Sequence, residues 1–131
     1  MKFGTYIRER RAALDRTGQP LSLRQFAGEL GIEPAYLSKI EREVFAPPSE
    51  QLIIKIAARL GEDPDVLLAL GGKVASEIKA EILKRPALLG QLIRYLGALP
   101  DSEAARAVHD LQTSRRGPLP VMKPAAVKGT V

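Results

Sequence analysis

The chain has 131 residues, 45% of them hydrophobic, and a formal net charge of +5, enough for one domain with appendages. It contains no cysteine, which excludes disulfides and thiolate metal sites and is compatible with a reducing cytoplasm. No apolar run approaches the ~20 residues needed to cross a bilayer, and the opening MKFGTYIRERRAA has no apolar stretch of signal-peptide length.

The charge is unevenly spread. Residues 1–43 carry +2, residues 44–113 carry −1 and residues 114–131 carry +4. Net charge is therefore weak support for a nucleic-acid partner, and the placement of individual cations decides more.

In chain order, FGTYIRERRAALD predicts a first helix, with Phe3, Ile7, Arg11 and Leu14 along one face. Gly18 and Pro20 mark Asp15–Leu21 as a loop. The segment Ser22–Glu43, SLRQFAGELGIEPAYLSKIERE, reads as two short helices joined by a tight turn. Ser22 can cap the first of them, and Gln25 completes a capping box. Leu23, Phe26, Ala27 and Leu30 recur at helical spacing. Ala27 is small where a second helix must come close. Gly31 ends the helix, since only glycine turns left-handed without a Cβ penalty. Ile32 points back to the core, and Pro34 suits the first turn of the next helix, where a missing N–H costs nothing.

That second helix is predicted over about Pro34–Arg42. At roughly 100° per residue, Leu37, Ile40 and Glu41 share one face, and Val44 would extend it. Ala35, Ser38, Lys39 and Arg42 share the opposite face. This outward mix of small apolar, hydroxyl and basic groups can touch a thymine methyl, donate to base edges and pair with phosphate. Tyr36 flanks it with a hydroxyl that can reach a phosphodiester backbone. An isolated helix with basic residues outside is more often a plain solvated face. The capping box, Ala27, Gly31 and the Leu37/Ile40 pair in register are what favour a nucleic-acid reading.

Pro47 and Pro48 then separate this helix from one capped by Ser49 and carrying Leu52, Ile53, Ile56, Ala57 and Leu60. Gly61 stops it. Asp63 and Pro64 open a short helix through Leu67 and Leu70. These helices should close a core with Ile7, Leu14, Phe26, Leu37 and Ile40. Residues 73–99 continue with an Ile78, Ile82, Leu83 stripe, a break at Pro86, and a dense apolar run of Leu88, Leu89, Leu92, Ile93, Tyr95, Leu96 and Leu99. That run is wider than one small domain covers, so it reads either as packing on that domain or as a dimer or partner interface. A last helix is expected from Ser102 to Thr113, capped by Asp101 or Ser102. SRRGPLPVMKPAAVKGTV, without an acidic residue, reads as a disordered basic tail.

Catalytic candidates are few. His109 is the lone histidine and reads as a solvated helix position. Gly71-Gly72 reads as a helix stop, not a phosphate loop. Asp63 and Asp65 read as a helix cap and a first-turn acid, not a metal pair. No enzyme activity, cofactor or metal is expected.

The phrases AYLSKIER and LGEDPDVLLALGGK resemble the helix-turn-helix regulators of the lambda-repressor and Cro class, the XRE family, a resemblance that covers about residues 3–70. The resemblance implies an all-α, five-helix DNA-binding domain over residues 1–72. It is followed here by a helical extension (73–113) and the basic tail (114–131). It implies that Ala35, Ser38 and Lys39 face the groove, that Arg42 meets phosphate at the helix end, and that Arg24 and Tyr36 touch the DNA backbone. It also implies that Glu41 pairs with Arg11 as a structural contact. Three features depart from the family pattern. Glu43 stands where the family commonly has glycine, Gly28 lies inside a helix, and the Asp15–Leu21 loop is long. The function expected is a sequence-specific transcriptional regulator, a repressor acting as a homodimer on palindromic double-stranded DNA in the cytoplasm. The alternative is an antitoxin or peptidase-controlled regulator whose C-terminal helices bind a partner protein.

Overall fold

The computed structural model describes residues 1–16 and 21–114, with the backbone alone described at Asp15 and Arg16. The described residues form eight helices and no strand: α1 (Phe3–Arg16), α2 (Leu23–Leu30), α3 (Pro34–Glu41), α4 (Glu50–Leu60), α5 (Pro64–Leu70), α6 (Ser76–Lys84), α7 (Pro86–Gly97) and α8 (Asp101–Thr113). The protein is all-α, as the apolar periodicity requires. Residues 115–131, most of the expected tail, lie outside the described residues. The chain divides into two compact units, with the boundary after Ala75.

In the first unit α1 packs on α3 and α4, α2 on α3 and α4, and α4 on α5. The core is built from Phe3 and Ile7 of α1, Phe26, Ala27 and Leu30 of α2, and Leu37 and Ile40 of α3. Ile53, Ile56, Ala57 and Leu60 of α4 and Leu67 and Leu68 of α5 complete it. Leu14 is half-buried against it. The segment expected as a loop differs from expectation at both ends. Asp15 and Arg16, expected in the loop, are the last residues of α1, and Leu21, the last residue of the expected loop, is fully buried; residues 17–20 of that loop lie outside the described residues. Burying such a side chain contributes ~1.5–3 kcal/mol, which draws the end of the connection onto the core.

The helix ends follow local chemistry. The Ser49 hydroxyl accepts from the Leu52 amide at 3.3 Å, and the Asp63 carboxylate accepts from the Asp65 amide at 2.8 Å. After α2, Gly31 has φ 76. Its amide donates to the Gly28 carbonyl at 3.2 Å, and the next amide, Ile32, donates to Ala27 at 3.0 Å. This paired closure satisfies two carbonyls the helix end would leave orphaned. The same closure follows α4 and α5.

The second unit comprises α6, α7 and α8, with α6 on α7 and α7 on α8. Pro86 is the first residue of α7, so the expected break falls between two helices. Helix α8 starts at Asp101 with Pro100 in the cap position. The expected Asp101 or Ser102 cap is thus corrected, because Asp101 already has helical geometry. None of the three helices has a fully buried residue. Leu83, Ile93, Tyr95 and Leu111 are more than half exposed.

Candidate nucleic-acid interface

Helix α3 is held from its inner face. Leu37 and Ile40 lie fully in the core. Glu41 beside them is the buried charged residue of the described chain. Arg11 of α1 meets its carboxylate in a two-point pair, Nε to Oε2 at 2.9 Å and Nη2 to Oε1 at 2.8 Å. The parallel fork-to-carboxylate geometry fixes direction as well as distance. A third donor, Arg11 Nη1, reaches the Leu21 carbonyl at 3.2 Å. The structural role implied for Glu41 is therefore present, and it couples α1, α3 and the end of the connection before α2.

The far end of α3 is held by a different device. The helix stops at Glu41 with Arg42 in the cap position, and Glu43 takes φ 66. The Glu43 amide donates to the Ile40 carbonyl at 3.1 Å, and the Val44 amide to Lys39 at 2.8 Å. This is the closure that glycine provides after α2, here built with glutamate. A left-handed non-glycine residue carries a strain of ~1 kcal/mol or more. The Glu43 side chain supplies an offset. Its Oε2 accepts from the Thr5 amide at 2.7 Å and from the Thr5 hydroxyl at 3.1 Å. Thr5 is the third residue of α1, whose first turn has no acidic residue of its own. The carboxylate thus reaches across 38 positions to the positive end of that helix. Gly4 allows the approach, since a Cβ there would lie 2.0 Å from the Ile40 carbonyl oxygen. The acidic group that departs from the family pattern is spent on α1.

This turn also corrects the expectation for Val44. Helical periodicity would carry it onto the inner face, but the left-handed residue redirects the chain, and Val44 is 56% exposed.

Helix α2 is fixed beneath. The Ser22 hydroxyl accepts from the Gln25 amide at 3.0 Å, the expected half of the capping box. The Gln25 side chain turns to Glu29 instead, at 3.3 Å. From α4, Lys55 donates to the Leu30 carbonyl at 3.2 Å, and Arg59 pairs with Glu29. Across α1, the Tyr6 hydroxyl donates to Glu62 at 2.6 Å, and Arg10 donates to the same carboxylate at 3.0 Å. The hydrogen bond to Glu62, with burial adding to it, pushes the Tyr6 phenol above its usual value.

The outward face of α3 then stands as follows. Ala35, Lys39 and Arg42 are exposed, while Tyr36 and Ser38 are half-buried. Arg42 Nε donates to the Ser38 hydroxyl at 3.1 Å. Lys39 Nζ sits 5.1 Å from the centroid of the Phe45 ring, and that ring lies 5.9 Å from Tyr36 at a 48° tilt. The structure therefore joins Ser38 with Arg42, and Lys39 with Tyr36 through Phe45. Arg24 is exposed at the second position of α2 and bonds to none of them among the described residues. Sequence reasoning missed Phe45. Its signal was an aromatic residue one turn beyond the helix, ahead of Ala46 and Pro47, where no helical period remained to bury it.

Five helices around one core, with a short helix seated on its apolar face and basic and hydroxyl side chains outward, define a helix-turn-helix DNA-binding domain. The helix-turn-helix family model matches residues 7–67. That domain belongs to this family, in its XRE (lambda-repressor and Cro-like) type, and the chain is a DNA-binding helix-turn-helix regulator. No curated protein and no solved structure gives a significant match to the chain. No described helix is long and apolar enough to cross a membrane.

Proposed function

We propose that this chain is a sequence-specific transcriptional repressor. It acts in the cytoplasm as a homodimer on a two-fold-symmetric operator, without cofactor or catalysis. The observation that carries the reading is the outer face of α3, fixed from behind by the Arg11–Glu41 pair. Ala35, Ser38 and Lys39 read base edges in the major groove, and Arg42 meets phosphate. Arg24 and Tyr36 position the DNA backbone. Two copies read half-sites about one helical turn apart, ~34 Å. Selection of bound sequences from random duplex DNA with the purified protein tests this. Recovery of a motif with two-fold symmetry is the expected result. Enrichment of no motif would remove the reading.

The second unit supplies the contact between copies in this proposal. A groove of about 400 Å³ is lined by Leu92, Tyr95 and Leu96 of α7 and by Ala107 and Leu111 of α8. With no fully buried residue in its three helices, this unit gains most from a second apolar surface. The same groove favours the second reading, an antitoxin or peptidase-controlled regulator whose α7 and α8 hold a partner protein. Sedimentation of the purified chain separates the two, since a dimer supports the first and a monomer the second.

A further inference from the structure

We infer that Phe45 is a positioning residue for DNA recognition: its ring holds Lys39 in a binding-ready arrangement before DNA arrives. The inference rests on the proposal that Lys39 reads a base edge.

Three observations converge on it. First, the closure after α3 folds the chain back onto the helix. The Val44 and Phe45 amides both donate to the Lys39 carbonyl, at 2.8 and 3.1 Å. Phe45 is thereby tied to the backbone of the very residue whose side chain it carries. Second, Phe45 is 44% exposed, and its ring lies beside that of Tyr36. Burial in the core does not explain it. Third, the Lys39 ammonium lies 5.1 Å from the ring centroid, within the ~6 Å over which an aromatic face attracts a cation.

The physical consequence concerns entropy. A free lysine on a helix surface samples many rotamers, and binding a base edge freezes it into one. A ring already holding the ammonium removes part of that loss in advance, which is how preorganisation raises affinity. The ring also leaves the hydrogens of the ammonium edge away from it available as donors. An exposed cation–π contact corresponds to about a two- to five-fold effect on an equilibrium constant.

Phe45→Leu keeps apolar bulk and removes the ring face, and Phe45→Trp keeps the face. In the free protein, the Lys39 side-chain protons should be shifted upfield by the ring. They should return to ordinary positions in Phe45→Leu and stay shifted in Phe45→Trp. On the operator obtained by selection, Phe45→Leu should weaken binding about two- to five-fold, and Phe45→Trp should restore it. Phe45→Leu and Lys39→Ala should relax the same base position, and Phe45→Leu should have no effect in the Lys39→Ala background. Thermal melting in Phe45→Leu should fall by no more than roughly 2–8 °C, the share of one exposed cation–π contact, because the core is left intact. Unshifted Lys39 protons in the wild type would overturn the inference. Additive losses from the two substitutions would also overturn it, showing that Phe45 touches DNA by itself. A wild-type protein that selects no duplex sequence would instead remove the parent reading, with the ring-current shift still intact.

Discussion

Deleting either partner of the Arg11–Glu41 pair should destabilise the first unit strongly, and unequally. The Glu41 side chain is 3% exposed and that of Arg11 is 15% exposed. Breaking a buried pair costs ~3–5 kcal/mol, mostly for the charge left behind. Glu41→Ala leaves Arg11, which touches water and keeps the Leu21 carbonyl. Its cost should fall near ~3 kcal/mol. Arg11→Ala leaves the more enclosed carboxylate and also releases Leu21, so its cost should fall nearer ~5 kcal/mol. A unit spanning Met1–Ala75 has about 4–11 kcal/mol in total, so Arg11→Ala approaches the threshold of unfolding. At ~4–8 °C per kcal/mol for a domain of this size, Glu41→Ala should lower Tm by roughly 12–24 °C. The joint Arg11→Met, Glu41→Leu variant should recover most of the loss, since packed apolar groups replace such a pair well. Circular dichroism melts and urea titrations measure all three. An unchanged Tm in Glu41→Ala, or an equal deficit in the apolar double variant, would refute the reasoning.

Other positions give independent tests. Gly28 is helical and exposed, and a Cβ there meets nothing within 4 Å, so Gly28→Ala should stabilise by ~0.5–1 kcal/mol in urea; a loss would show that glycine is needed there. At Glu43, Ala loses the Thr5 contacts and keeps the backbone strain, whereas Gly loses the same contacts but relieves the strain. Glu43→Gly should therefore be more stable than Glu43→Ala by ~1 kcal/mol, and equal stabilities would contradict the strain. Tyr6 has a folded-state pKa raised by its bond to the Glu62 carboxylate. Its contribution is full below the unfolded tyrosine value near ~10 and is lost as pH rises through the higher folded value. Tyr6→Phe should be less stable than wild type at neutral pH, and the gap should narrow in strong alkali; a constant gap across that range would count against the bond.

Much of the first unit was legible because its signals are local. Ser22, Gly31, Pro34, Ser49 and Asp63 act on backbone groups within a few residues, and the apolar spacing of α2 and α4 marks their inner faces. The features that escaped notice depend on chain direction or distant contacts. Leu21 looked like loop because its burial is set by the core. Val44 looked inward because periodicity was carried past a residue that takes positive φ, and the same turn hid Phe45. Thr5 and Glu43 are 38 positions apart, and neither residue type alone announces the other. The six candidate DNA contacts were named from the outward face and from family resemblance. The structure adds the side-chain pairings among them, which no sequence period encodes.

The clamps on α3 have a consequence for how such a regulator changes its target. The pose of the helix is set by Arg11, Gly4, Thr5, Leu37, Ile40, Glu41 and Glu43. The side chains of Ala35 and Lys39, exposed on the other side, contribute nothing to those clamps; Lys39 enters them through its carbonyl alone. Pose and content are thus written in separate sets of side chains. Under the proposed function, substitutions at the outward positions would alter which bases are read while the angle of approach stays fixed. Changes in the clamp shift every contact together. On that proposal the reading head would be exchanged one letter at a time on an unmoved mount, and new operators would be acquired without first losing the fold.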